Sequence, residues 1–122
     1  MNNKELAIFG EDTAVQFLTS NGYTVIERNY HSPYGEIDII CNRDGELIFV
    51  EVKARRSHSF GEPLDAVTES KRQKIIKTAY HYIAKKDVEI PVRFDIITLD
   101  YDKISKDYSL CHIENAFLGE DY

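Results

Sequence analysis

The sequence predicts an α/β domain, a central mixed β-sheet flanked by helices in the order αβββαββ, and three observations carry this. Apolar residues recur at helical spacing in two segments, near residues 4–20 and 66–85. Five β-rich runs lie between and after them, two of these joined by Asp44-Gly45. The second helix falls between the third and fourth runs, as in a parallel crossover packed on a sheet. With 122 residues, 43% apolar and 30% charged, the chain fits a single domain over residues 1–122, with a core that needs no staples.

In the first helix Ala7, Glu11, Ala14 and Leu18 share a stripe flanked by Val15 and Phe17, and Asn21-Gly22 ends it. YTVIERNY (23–30) reads as a strand, and HSPYG (31–35), rich in breakers, as a turn. Hairpin strands follow near 36–42 and 46–54. RRSHSFGEP (55–63) has no periodicity and reads as a flexible loop. The second helix is apolar at Ile75, Ile76, Ala79 and Ile83. Pro91 then precedes a strand over 92–100, the YDKISKD turn, and a last strand near 108–114.

Several function classes are excluded early. The longest apolar runs are a few residues, so no segment predicts a membrane span. The N-terminus lacks an apolar core followed by a cleavage site, which argues against a secretory signal and for a cytoplasmic protein. Cys41 and Cys111 form no CxxC or Cys/His cluster and read as buried thiols of a reducing compartment. His31, His58, His81 and His112 are scattered and read as structural or exposed. The net charge of -6 is the wrong sign for holding nucleic acid by bulk electrostatics. Yet Val52 to Lys77 carries seven Lys/Arg against three acids, leaving -10 on the remainder. That segment reads either as one basic side for a polyanion or as a solvated helix face with its loop.

The hairpin carries the strongest signal. A two-residue type I′ turn at Asp44-Gly45 makes facing residues sum to 89. Asp38 then opposes Glu51 and Glu36 opposes Lys53, while Ile37 faces Val52 and Ile39 faces Val50. All four charges fall on one side of an otherwise aliphatic pair, with facing Cβ atoms about 5 Å apart. A salt bridge accounts for Glu36 and Lys53. Two facing carboxylates repel, and desolvation raises the cost unless a proton or cation relieves it. A hard divalent cation with oxygen ligands is one relief; the alternative is a wet face with both acids in water. Glu11, inside the apolar stripe of the first helix, wants a partner too. It reads either as salt-bridged to a nearby Lys or Arg or as a third carboxylate over Asp38 and Glu51.

Asp38, followed after twelve residues by Glu51-Val52-Lys53, resembles the PD-(D/E)xK signature of restriction-endonuclease-like nucleases. GEDTAVQFLTSNGYTVIERNY, GEIDII, LIFVEVKAR, FGEPLDAV, SKRQKI and RFDII together resemble the YraN-like family of predicted endonucleases, from about Gly10 to Leu99. The resemblance implies a restriction-endonuclease-like fold and hydrolysis of DNA phosphodiesters with Mg²⁺ or Mn²⁺. It makes Asp38, Glu51 and the Val52 carbonyl the metal ligands, with Glu11 a candidate fourth. Lys53 would position the attacking water and steady charge on the phosphate. Gln73 matches a polar position beside the site, and Glu36 a partner of Lys53 or an occasional ligand. Ile37 replaces the signature proline. Arg55, Arg56, the 57–62 loop, Lys71, Arg72, Lys74 and Lys77 are candidates to hold phosphates. Nothing indicates base readout, so structure-selective cutting of junction, flap or single-stranded DNA in repair or recombination is expected. By analogy with resolvases a homodimer is expected as well. Two other uses fit the same residues: a binding module for nucleic acid or a repair partner, and an interaction protein whose acidic remainder docks a basic partner.

Overall fold

The computed structural model describes residues 1–56 and 61–119. Helix α1 (Asn3–Ser20) precedes β1 (Thr24–Ser32), β2 (Gly35–Arg43) and β3 (Glu46–Arg56). A short 3₁₀ helix (Pro63–Ala66) and α2 (Glu69–Lys86) then lead to β4 (Val92–Tyr101) and β5 (Tyr108–Phe117). The sheet order is β1-β2-β3-β4-β5. Only β3 and β4 run parallel, with the 3₁₀ helix and α2 making the crossover. This is the expected αβββαββ arrangement, a mixed sheet with a helix on each face, consistent with a restriction-endonuclease-like fold. No helix among the described residues is long and apolar enough to cross a membrane.

Local chemistry sets the boundaries. Asn2 and Glu5 form a reciprocal capping box at the start of α1. Thr68 caps α2 by accepting from the Lys71 N–H, which starts that helix at Glu69 rather than 66. Asp44 (φ 51°) and Gly45 (φ 82°) both take the positive φ of a type I′ turn. The breakers of HSPYG occupy less chain than expected: β1 continues through Ser32 and β2 begins at Gly35, leaving a turn at Pro33-Tyr34 whose N–H is held by Ser32 Oγ.

Two apolar layers sandwich the sheet. Ile75, Ile76, Ala79 and Tyr82 of α2 cover Ile37, Ile40, Leu47, Phe49, Phe94 and Ile96. Ala14 and Leu18 of α1 cover Ile39, Cys41, Ile48, Val50 and Ile97. The second half of the expected α1 stripe holds, with Ala14 and Leu18 buried, but in the first half Leu6 and Gly10 are buried in place of Ala7, which is exposed, and Glu11. The reason is Gly10. A Cβ there would stand 2.7 Å from the Ala54 Cβ, so its absence lets α1 lie close on β3. Cys41 is buried as expected, but Cys111 is exposed, because it sits on the edge strand β5 with no further strand beside it.

Both outer strands are irregular. β1 has an extra residue between Val25 and Glu27, and β5 uses four steps, Ile113 to Phe117, where β4 uses two. The β5 bulge turns Asn115 to φ 52° and aims its N–H at Asp95 Oδ1, 2.9 Å away. Asp95 is fully buried; it also accepts from Arg93 Nε (2.9 Å) and Nη2 (2.8 Å), and His112 Nε2 lies 2.7 Å from its Oδ2. Burial alone would raise its pKa, but the hydrogen bonds of His112 and Arg93 outweigh it and hold Asp95 below the ordinary value. Asp95→Ala strands the half-buried Arg93 charge and should cost about 3–5 kcal/mol in urea unfolding at pH 7. A loss under about 1 kcal/mol would show that Tyr23, Glu46 and Glu114 suffice for Arg93.

Candidate functional site

The β2–β3 ladder keeps the register set by the turn from Arg43/Glu46 to Ile39/Val50. There it stops, and Asp38 Oδ2 accepts from the Val52 N–H at 2.8 Å, a side chain standing where a strand carbonyl would. Alternation slips at the same place: Ile37 and Ile40 both face the α2 layer, three residues apart, while Ile39 faces α1. In β1, between the partners of Ile39 and Ile37, Asn29 is left-handed with φ 53°. The expected face of four paired charges is therefore corrected. Ile37 does not share a face with Ile39, and Glu36 pairs with His31 (3.3 Å) rather than with Lys53.

Glu51 is buried, and its Oε1 has no hydrogen-bond partner among the described residues. Its pKa is pushed up to about 8, first by burial and then by the charge of Asp38. Burial raises Asp38 too, against the opposing pull of the Val52 N–H. The nearest cation to Glu51 is Lys71, with Nζ 3.7 Å from Oε2. Lys53, two residues further along β3 and so on the same side as Glu51, is exposed, with no ion pair among the described residues.

The parting of the strands opens a cleft of about 720 Å³ between the first half of α1 and the 3₁₀ helix. Asp38, Val52 and Lys53 line it, and Glu11 lines it from α1. Glu11 Oε1 accepts from Arg28 Nε and Asn29 Nδ2, each at 3.1 Å. Of its two readings the salt bridge is therefore made. No three Asp, Glu, His or Cys side chains among the described residues converge on one point, and Glu11 is engaged with Arg28 and Asn29 rather than gathered with Asp38 and Glu51.

The sequence profile of the uncharacterised protein family UPF0102 matches residues 10–99, a span containing every one of these side chains. The chain belongs to UPF0102. It is 45% identical over 118 residues to a UPF0102 protein of Clostridioides difficile strain 630, covering 96% of this chain and all of the relative. A UPF0102 protein of Dictyoglomus thermophilum is 42% identical over 118 residues, with the same coverage. One of Clostridium perfringens strain 13 is 41% identical over 116 residues, 94% of this chain and 95% of its own.

Other candidates in this UPF0102 chain fall into two groups. Gln73 and Lys74 are exposed on α2. Three arginines are already engaged. Arg55 is buried and bidentate on Asp100 (2.8 and 3.1 Å), so the expectation that it grips phosphate is corrected. Arg72 ties the 3₁₀ helix to α2 through the Val67 and Leu64 carbonyls, and Arg56 holds Asn3 and the Met1 carbonyl. Of the 57–62 loop, residues 57–60, with His58, lie outside the described residues. Sequence reasoning missed Thr98, whose buried Oγ1 has no hydrogen bond among the described residues and which pairs with Lys53 in the parallel register. A threonine inside an apolar strand was the available signal.

The donor set suits a hard cation. The unpartnered Glu51 oxygen and the Asp38 carboxylate are oxygen ligands, and a strand residue sends its carbonyl to the same side as its N–H, which puts the Val52 carbonyl in the same gap. The raised Glu51 pKa fixes a sign. Between the ordinary 4.5 and about 8 the native state holds a proton that the unfolded chain has released, so stability falls as pH rises through that window. Thermal melts in chelator should show a midpoint that declines from about pH 5 to about pH 8. Glu51→Gln, which keeps the neutral form, should flatten the decline and melt higher at the alkaline end. An unchanged slope in that variant would assign the dependence to other groups.

Proposed function

We propose that this protein is a metal-dependent nuclease that hydrolyses phosphodiester bonds in DNA. The observation that carries the reading is the Asp38/Glu51 pair: two carboxyls held together at a break in the sheet, one with an unpartnered buried oxygen, beside the exposed ammonium of Lys53. An ion pair built only for stability would have its charges matched, as Asp95 has. Mg²⁺ or Mn²⁺, held by Asp38, Glu51 and the Val52 carbonyl, would supply Lewis acidity and a water of lowered pKa. Two carboxylates suit Mg²⁺ in particular, which keeps water and substrate phosphate among its ligands.

The side chains of the chain divide the remaining work. The Val52 N–H fixes the Asp38 carboxylate, so that its free oxygen is presented in one orientation. Lys53 brings a compact charge that steadies a phosphate and orients a water through its N–H donors. Glu11 braces the opposite wall through Arg28 and Asn29. Lys71 and Lys74 would meet the backbone of the substrate, and among the described residues no cluster suited to reading base edges accompanies them. We therefore assign structure-selective cutting, of junction, flap or single-stranded DNA, as in repair or recombination.

The test is incubation of the protein with single-stranded, flap and four-way-junction DNA, with Mn²⁺ or with chelator, beside Asp38→Ala and Lys53→Ala. Metal-dependent cutting of at least one substrate is expected, with each variant slower by about two to three orders of magnitude, as for loss of one group that stabilises transition-state charge. Cutting by Asp38→Ala at the wild-type rate would assign any activity to a contaminant. Binding without cutting by the wild type would favour a nucleic-acid-binding module on the same scaffold.

A further inference from the structure

Lys71 does something at this site that its place in a basic segment does not suggest. It opens α2, half-exposed, and its ammonium turns back to the sheet, 3.7 Å from Glu51 Oε2. Tight charge-assisted hydrogen bonds run about 2.7–2.9 Å, so this contact is loose. It is also the cation nearest a buried carboxyl that has nothing else on its second oxygen. Seen down the helix, Lys71 begins a flank that continues at helical spacing through Lys74, Thr78, His81 and Lys85. That flank runs along the β1–β2 hairpin: Thr78 Oγ1 lies 2.9 Å from Ser32 Oγ, and His81 Nδ1 lies 2.7 Å from Tyr30 Oη. Lys74 and Lys85 are exposed on it. Lys71, Lys74 and Lys85 of this row, the other two being engaged with the hairpin, offer a basic track for phosphate that ends beside Glu51.

We propose that Lys71 is a displaceable counter-ion which couples occupancy by a divalent cation to occupancy by a nucleic-acid phosphate. The inference rests on the nuclease reading above. An ammonium beside Glu51 Oε2 and a divalent cation on the unpartnered Oε1 repel each other across one carboxylate, so each opposes the other. A cation that takes the Glu51 oxygens frees the ammonium for the track. A phosphate that draws Lys71 away leaves the carboxyls short of positive charge and ready for a cation. By linkage the two effects have equal size. The empty-handed protein thus holds metal weakly, and the substrate itself completes the site.

The experiment is calorimetric titration of Mn²⁺ into the full chain without DNA, for wild type, Lys71→Met, Lys74→Met and Glu51→Gln, each first checked for a cooperative melt; Lys71→Gln repeats the first substitution if the methionine variant does not fold. Lys71→Met should bind Mn²⁺ about tenfold more tightly than wild type, and Lys74→Met within about twofold of it, since of these two lysines Lys71 is the one beside the Glu51 carboxylate. Lys71→Met within twofold of wild type, or Lys74→Met tightening equally, overturns the proposal. If no variant binds Mn²⁺, or Glu51→Gln binds it as well as wild type does, the metal reading falls and takes the proposal with it. A second arm measures binding of single-stranded DNA in chelator. There Lys71 is held by Glu51, so Lys71→Met should change affinity less than about twofold, whereas Lys74→Met should weaken it and lower the salt slope by about 1. Equal weakening by both substitutions overturns the counter-ion role.

Discussion

The hydrogen bond from the Val52 N–H to Asp38 Oδ2 decides what this end of the sheet becomes. A buried N–H must find an acceptor. Had β2 continued its ladder, a backbone carbonyl would have served, and the strands would have stayed closed. Instead a carboxylate fills the place, which separates the strands, brings a negative charge into the seam and sets it against Glu51. The Asp38 wall of the cleft and the like charge that adds to burial in raising the pKa of Glu51 both follow from that exchange of a carbonyl for a carboxylate.

The two faces of the sheet make opposite use of a buried acid, one register position apart on β3 and β4. Asp95 accepts from two nitrogens of Arg93 and the Asn115 N–H, lies against His112, and is held in its charged form. Glu51 has one loose lysine, one unpartnered oxygen and a like charge beside it, and is pushed towards its neutral form. Local rules are satisfied at the first and broken at the second, and broken rules of this kind gather at functional sites.

How much of this was legible in the chain depended on how far each interaction reaches. The hairpin register was legible because Asp44-Gly45 admits one turn type, and it predicted the pairing as far as Ile39 and Val50. The slip at Asp38 was not, since it needs a left-handed Asn29 on a neighbouring strand and a side chain standing in for a carbonyl. Arg55 looked like a phosphate ligand because its partner Asp100 is far away in sequence and adjacent only across the parallel pair. The first half of the α1 stripe was misplaced because Gly10 carries no hydropathic signal, though it marks a close approach of helix and sheet. The acids of the site were legible by type and spacing. Their environment, which gives them chemistry, was not.

The irregular outer strands bear on how copies of this chain could assemble. A flat edge strand is a template on which a second sheet can grow, whether as a dimer or as an aggregate. Here β1 is interrupted between Val25 and Glu27, and β5 by the bulge around Asn115, whose N–H is turned inward to Asp95. Neither edge offers an unbroken row of donors and acceptors. Growth of the sheet from one molecule into the next is thereby obstructed. The bulge that completes the Asp95 network therefore also interrupts an edge on which a second sheet would have to grow.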